Sequence, residues 1–131
     1  MFPLGHLGLG LQTAKPFRRD RPLKPLLLGT LLPDLIDKPL YYGLSLATGH
    51  SGADLGLIAG TRSFGHTVLF TAALAALARA RRSKTLAALA LGSATHLLLD
   101  LITDMSESGF DGPRLMSQSV KTLVWPLMGV Q

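Results

Sequence analysis

The sequence of 131 residues has no cysteine, very little valine or isoleucine and no long uninterrupted apolar run. The absence of cysteine excludes thiolate zinc sites, iron–sulfur clusters, disulfide scaffolds and cysteine nucleophiles. Leucine occurs 29 times and alanine 14 times, whereas valine occurs four times and isoleucine three times. Because leucine and alanine favour helices and β-branched residues favour strands, the composition predicts an all-α fold. The length predicts a single domain over residues 1–131.

Charged residues are scarce, at 16% of the chain, and 13 Lys and Arg against eight Asp and Glu give a net charge of +5. The most apolar stretches, 63–78 and 85–99, lack the polar stripe that a soluble surface helix of a small protein shows. Both are shorter than the roughly 20 residues of a clean bilayer span, so a pair of buried core helices is the alternative. We expect a membrane-embedded protein whose basic segments lie on the cytoplasmic side, near anionic lipid.

Prolines, glycines and capping residues divide the chain into four predicted helices. A basic loop, 15–24, separates the first two, and a basic turn, 79–84, separates the last two, which Ser63 and Ser83 are expected to cap. Residues 40–62 contain five glycines and are predicted to form loops with one short helix. The tail from Asp104 is polar up to an apolar patch at 123–128. The predicted helices are Pro3–Ala14, Leu23–Leu32, Ser63–Ala80 and Lys84–Ile102.

The titratable residues share one end of these helices if the helices form an antiparallel bundle. His66 lies 13 residues before Arg79, and His96 lies 12 residues after Lys84. At the rise of an α-helix, both histidines lie roughly 18–20 Å from the basic turn. Lysine and arginine collect at the other end. The residues predicted at the site end, all as metal ligands, are His6, Asp34, Asp37, His66, His96 and Asp100.

The spacing and chemistry of this set predict one or two divalent metal ions. His96 and Asp100 are four residues apart and Asp34 and Asp37 three apart, so each pair shares a helix face. Imidazoles and carboxylates without thiolates suit zinc, which we expect first, or Mn, Fe or Ni. A cation would also offset the desolvation cost, about several kcal/mol, of each carboxylate among the leucines.

Structural alternatives exist for every one of these residues. His50 follows Gly49 and is predicted to be a loop histidine outside the site. The basic turn has no interleaved aromatic residues, so nucleic acid is not expected as a partner. The alternatives are a surface position for His6, a cap for His66 and Asp34, a buried hydrogen-bonded pair for His96 and Asp100, and an ion pair with Lys38 for Asp37.

Three segments of the sequence resemble the motifs of one family. They are Gly29–Asp37 with Pro-Asp-x-x-Asp, Arg62–Thr67 with Gly-His-Thr, and Gly92–Asp100 with His-x-x-x-Asp. With His6 and Trp125–Leu127, they resemble the small bacterial and archaeal inner-membrane proteins of the YdjM-like, LexA-regulated group, described as metal-dependent hydrolases. The elements also show a more distant similarity to zinc-dependent phospholipase C. The resemblance implies an integral inner-membrane protein with helices, a His/Asp metal site and hydrolase activity.

We therefore expect a membrane-bound hydrolase that uses metal-activated water on a phosphoester or another ester, either a small molecule or a lipid derivative. Asp37 or Asp100, whichever is not a ligand, is the predicted general base. Arg62 and Lys38 lie beside the motifs and are predicted to hold an anionic substrate, unless Arg62 pairs with Asp34 or Asp37 instead. The alternative is a non-enzymatic integral membrane protein with a structural or transported metal.

Overall fold

A computed structural model describes residues 3–18, 20–50 and 62–107, except for the side chains of residues 3, 4, 6, 17, 18 and 107. Within these ranges the chain forms four α-helices and one short 3₁₀ turn, without a β-strand. The all-α prediction is confirmed. The elements are α1 (Pro3–Arg18), α2 (Leu23–Thr48), the 3₁₀ turn (Phe64–His66), α3 (Val68–Ala80) and α4 (Lys84–Glu107).

The helix α4 is the element against which α1, α2 and α3 all pack. Its contact with α2 is made through glycines on both helices. A Cβ at Gly92 would lie 2.7 Å from Thr30 N, and a Cβ at Gly29 would lie 2.9 Å from Leu89 Cα. Small residues let helix backbones approach this closely, and they are typical of helix interfaces in membranes.

The helix α2 continues through Pro33 and Pro39, so the predicted end at Leu32 is wrong. A proline inside a helix removes one backbone hydrogen bond, and neighbouring groups can compensate for the loss. Pro33 is buried against the 3₁₀ turn, where a Cβ at Gly65 would lie 2.9 Å from Pro33 O. Tertiary contacts therefore outweigh the local preference of proline.

Residues 40–48 belong to the segment predicted as loops with one short helix, but they form the last turns of α2. The helix ends at Gly49, whose φ of +70° lies in the left-handed region that glycine adopts without strain. Predicted structure at 51–61 lies outside the described residues, as does the apolar patch at 123–128.

The other helix boundaries differ from the predictions by a few residues. The helix α1 extends to Arg18, so Lys15 lies in its last turn. The positive charge of Lys15 interacts favourably there with the negative end of the helix dipole. Of the predicted basic loop, residues 20–22 lie between α1 and α2, and Arg19 lies outside the described residues. The helix α4 extends past Ile102 and includes Asp104.

The predicted cap of α3 at Ser63 is wrong, and the predicted cap of α4 at Ser83 is confirmed. The hydroxyl of Thr67 caps α3 and accepts a hydrogen bond from Phe70 N at 3.0 Å. Ser83 Oγ accepts a hydrogen bond from Leu86 N at 3.3 Å. Ser63 instead lies in the segment before the 3₁₀ turn, where a carboxylate from α2 binds its N–H.

A tight turn joins α3 to α4. Ser83 N donates to Ala78 O at 3.0 Å, and Arg81 N donates to Leu77 O at 2.9 Å. Arg82 lies between them with φ +48°, the left-handed conformation in which glycine is usual at a helix end. A non-glycine residue there costs roughly 1–2 kcal/mol. The turn therefore keeps an arginine at a position where glycine would be less strained.

The described part of the chain buries polar residues and exposes hydrophobic ones, which is the reverse of a water-soluble domain. Nine buried residues are polar or charged and seven are hydrophobic, whereas fifteen large hydrophobic residues are exposed. The segment Lys84–Ser106 is long and apolar enough to cross a membrane, by length and composition. Helices in lipid associate through small residues and hydrogen bonds and leave their leucines outside, which is the pattern seen.

The close approach of α2 and α4 predicts opposite effects of alanine at two glycines. We expect Gly29→Ala to lower the free energy of unfolding by about 1–3 kcal/mol, because its Cβ would overlap the backbone of α4. Gly43 lies on the same helix, and a Cβ at this position would meet nothing within 4 Å. Gly43→Ala should therefore raise stability by about 0.5–1 kcal/mol. Thermal unfolding of the full chain in detergent measures both, and equal effects would contradict the packing.

Candidate metal centre

Asp37 fixes the position of the 3₁₀ turn relative to α2. Its carboxylate has no solvent exposure and accepts hydrogen bonds from the N–H groups of Ser63 at 2.7 Å, Gly65 at 2.8 Å and His66 at 3.2 Å. A Cβ at Gly65 would lie 2.9 Å from Pro33 O and 3.2 Å from Asp37 Oδ1, so this approach requires glycine. These bonds explain why residues 64–66 form a separate turn and not the first turn of α3.

The same carboxylate orients the imidazole of His66. Asp37 Oδ2 lies 2.7 Å from His66 Nδ1. The three backbone N–H groups that also donate to this carboxylate favour its ionised form. Because the carboxylate is ionised and accepts, Nδ1 of His66 is the donor. In the neutral ring, Nε2 then carries a lone pair.

His96 has the same arrangement with a different acceptor. Its Nδ1 lies 2.6 Å from the backbone carbonyl oxygen of Thr30. Since a carbonyl can only accept, Nδ1 is the donor and Nε2 of the neutral ring carries the lone pair. The Nε2 atoms of His66 and His96 face each other at 3.2 Å, and both side chains are buried. Two lone pairs at this distance repel unless a metal ion or a proton lies between them.

Two carboxylates adjoin the facing imidazoles. His66 Nε2 lies 3.6 Å from Asp34 Oδ1 and 3.7 Å from Asp100 Oδ2, and His96 Nε2 lies 3.6 Å from Asp100 Oδ2. The ligand atoms of Asp34, His66 and His96 all lie within 4.8 Å of one another. Around a tetrahedral zinc ion with bonds of about 2.0–2.1 Å, ligand atoms lie about 3.3–3.4 Å apart. The donor set therefore fits a divalent ion.

A cation flanks each of these carboxylates. Lys38 Nζ lies 2.6 Å from Asp34 Oδ2, and Arg62 Nη2 lies 3.1 Å from Asp100 Oδ2. Lys38 thus pairs with Asp34 and not with Asp37, the partner that the sequence suggested as a structural alternative. Asp37 and Asp104 belong to the same network, so four carboxylates face two cations and the cluster keeps an excess of negative charge.

Arg62 also contacts a residue that the sequence analysis missed. Its Nη1 lies 2.5 Å from Asp104 Oδ2, so the predicted alternative partners, Asp34 and Asp37, are not the ones it pairs with. Burial lowers the pKa of Arg62, but the hydrogen bond to Asp104 and the charges of Asp100, Asp104 and Asp34 raise it above its ordinary value. Asp104 lies four residues after Asp100, which itself lies four residues after His96, so the three residues share one face of α4. This spacing could have identified Asp104 from the sequence.

A model of the YdjM inner membrane protein family matches residues 1–127 of the chain. The chain belongs to this family. The match confirms both the resemblance carried by the motifs and the expected location at the inner membrane. No curated protein and no solved structure matches the chain.

Five of the six predicted ligands of this YdjM family member come together in the structure. Asp34, Asp37, His66, His96 and Asp100 form one cluster between α2, the 3₁₀ turn and α4. His6 lies on α1, and its side chain lies outside the described part of the structure. His50 is exposed after the end of α2, as expected for a histidine outside the site.

The hydrogen bonds at Asp37 predict a large loss of stability for Asp37→Asn. The amide keeps one acceptor oxygen but presents an NH₂ group to N–H donors, so we expect the free energy of unfolding to fall by about 1–3 kcal/mol. Asp20→Asn removes the same charge from an exposed position and is the control. Thermal unfolding in detergent compares the variants, and an unchanged midpoint for Asp37→Asn would refute the anchoring role.

Proposed function

We propose that this YdjM family member is a membrane-embedded, metal-dependent hydrolase whose ion is held by Asp34, His66 and His96. The observation that supports this most is the pair of Nε2 atoms 3.2 Å apart. The Nδ1 atom of each ring already donates to its own acceptor. A divalent cation satisfies both lone pairs at once and also neutralises the carboxylates buried beside them.

Two imidazoles and one carboxylate form a ligand set used by hydrolytic zinc sites, in which a fourth position stays open. We propose zinc first, with Mn, Fe or Ni as alternatives. When bound, such an ion lowers the pKa of water to about 7 and polarises a scissile ester group. Membrane embedding is supported by the apolar length of α4 and by the leucines exposed around the bundle.

The general base that we propose is Asp100. Both oxygens of Asp37 already accept hydrogen bonds, and its carboxylate lies behind His66 on the Nδ1 side. Asp37 is therefore better placed to position His66 than to bind the ion or accept a proton. Asp100 Oδ2 lies 3.6 Å from His96 Nε2 and 3.7 Å from His66 Nε2, where it can take a proton from an attacking water.

Arg62 acts in this proposal through Asp100. Its guanidinium bridges Asp100 and Asp104 on successive turns of α4, which fixes the Asp100 carboxylate beside the imidazoles. The predicted substrate is a phosphoester or another ester, small or lipid-derived, because the site lies within a protein of the inner membrane. An anionic substrate would also be attracted by Arg62 and Lys38 at the edges of the cluster.

One observation favours a non-enzymatic metal site as the second candidate. Asp100 Oδ2 is nearly equidistant from the two Nε2 atoms and could close the coordination shell as a fourth ligand. A closed shell is typical of structural metal sites. The role of Asp100 thus separates the two functions.

The proposed ligands predict which variants lose metal. His66→Ala, His96→Ala and Asp34→Asn should each lose the bound ion, because each removes one of three donors. His50→Ala should keep it and is the matched control. Elemental analysis of protein purified in detergent measures the content. With zinc at about a hundred times its Kd, the wild type should gain about 2.7 kcal/mol of stability. If the wild type holds no stoichiometric metal and neither zinc nor manganese stabilises it, the proposal fails.

The proposed base predicts a separate effect on turnover. Asp100→Asn should retain the metal and lower kcat by roughly 10²–10⁴-fold, because it cannot accept the proton. Asp104→Asn, one turn further along, should lower kcat less. The assay uses phosphomonoesters, phosphodiesters and lipid phosphoesters in detergent with each candidate metal. Loss of metal from Asp100→Asn, or no turnover with metal fully bound, would favour the structural or transport function.

A further inference from the structure

A cavity of about 650 Å³ lies at the end of the bundle away from the metal cluster. It runs between α3 and α4 and is bordered by residues 20 and 21, before the start of α2. Its volume lies within the range of about 300–1,000 Å³ found for small-molecule sites. Its wall is made largely of methyl groups, from Ala75, Ala78, Ala87, Ala90 and Ala94.

The length of this wall suits a hydrocarbon chain. On α4 the lining extends from Lys84 to Ala94, ten residues, which corresponds to about 15 Å of helix. On α3 the lining ends at Thr71, whose hydroxyl is hydrogen-bonded to Ser93 Oγ at 2.9 Å. The cavity is therefore elongated along the helices, with an apolar wall and a polar group at its inner end.

The outer rim of the cavity is strongly basic. Arg21, Arg79, Arg82 and Lys84 all line it, against one acidic residue, Asp20. Among the described residues, Arg79, Arg82 and Lys84 take part in no ion pair. Arg82 stands on this rim in a left-handed conformation that glycine would adopt more easily. The rim thus concentrates positive charge that its protein neighbours leave largely uncompensated.

We propose that this cavity binds an anionic phospholipid, with the phosphate against Arg79, Arg82 and Lys84 and one acyl chain along the alanine wall. A basic pocket between helices on the cytoplasmic side is the arrangement that recognises anionic headgroups. A soluble anion would use the rim and leave the apolar wall unused. A second copy of the chain would bring its own basic turn to the rim and be repelled. The site is separate from the metal cluster, so it stands or falls independently of the proposed hydrolase.

The test measures binding of short-chain phosphatidylglycerol to the full chain in detergent, by native mass spectrometry and by thermal stabilisation. Phosphatidylcholine of the same chain length and inorganic phosphate serve as the other two ligands. Because each basic residue near a lipid headgroup adds favourable energy, phosphatidylglycerol should bind roughly tenfold tighter than phosphatidylcholine, or more. Phosphate alone should not stabilise the protein.

Two triple variants that remove the same charge distinguish the effect of the rim on lipid binding from that of the overall charge. Replacing Arg79, Arg82 and Lys84 together with glutamine should weaken phosphatidylglycerol binding by roughly tenfold or more. Replacing Arg81, Lys15 and Lys24 with glutamine removes the same charge from exposed positions that do not line the cavity, and should have little effect. Equal losses of phosphatidylglycerol affinity in the two triple variants would mean that the net charge of the protein attracts the lipid, and not the rim. That result would overturn the proposal.

A second pair of variants tests the alanine wall. Ala75→Phe fills the cavity from an exposed position on α3 and should displace the lipid, whereas Ala76→Phe, also exposed but outside the lining, should not. Unchanged binding in Ala75→Phe would overturn the role of the wall. Equal stabilisation by phosphate would assign the rim to a soluble anion. No lipid binding by the wild type, with dimers that Ala75→Phe abolishes, would assign the cavity to a second copy of the chain.

Discussion

The buried carboxylate of Asp37 accepts three backbone N–H groups and the ring N–H of His66, and the rest of the site depends on these four hydrogen bonds. They attach the segment before α3 to the middle of α2. They also decide which nitrogen of His66 faces the cluster. A carboxylate that orients a metal-binding histidine through its other nitrogen raises the basicity of that ligand. The Asp37 side chain thus determines both the path of the backbone before α3 and which nitrogen of His66 faces the cluster.

The polar interior explains why the helices pack as they do. Charged and hydrogen-bonding groups line the contacts of α2, the 3₁₀ turn and α4, whereas leucines cover the outside. Such an interior has little apolar area with which to drive folding in water. Within a bilayer, close contact at Gly29 and Gly92 and hydrogen bonds such as that from His96 to Thr30 provide the association instead. The same bonds that join the helices therefore arrange the His and Asp side chains of the candidate site.

Much of the cluster could be predicted from helical spacing. The parts that could not be predicted are those that depend on tertiary contacts. The four-residue separation of His96 and Asp100 places both on one face of α4, and the structure has them there. By contrast, Pro33 predicts a helix end locally, and only its burial against the 3₁₀ turn shows why α2 continues. The displacement of the α3 cap from Ser63 to Thr67 follows from a carboxylate 26 residues earlier in the chain, which no local pattern reveals.

The helix α4 carries determinants of both proposed sites, and this relates them in space. Lys84 begins the helix at the basic rim, and His96 lies 12 residues further along it. At about 1.5 Å per residue, the imidazole lies roughly 18 Å from the rim, and a hydrocarbon core is about 30 Å thick. An anionic headgroup held at the rim would fix α4 at one leaflet boundary and so set the depth of the His/Asp cluster near the middle of the bilayer. A substrate would then have to reach the cluster within the membrane, which favours a lipid-derived ester over a soluble one.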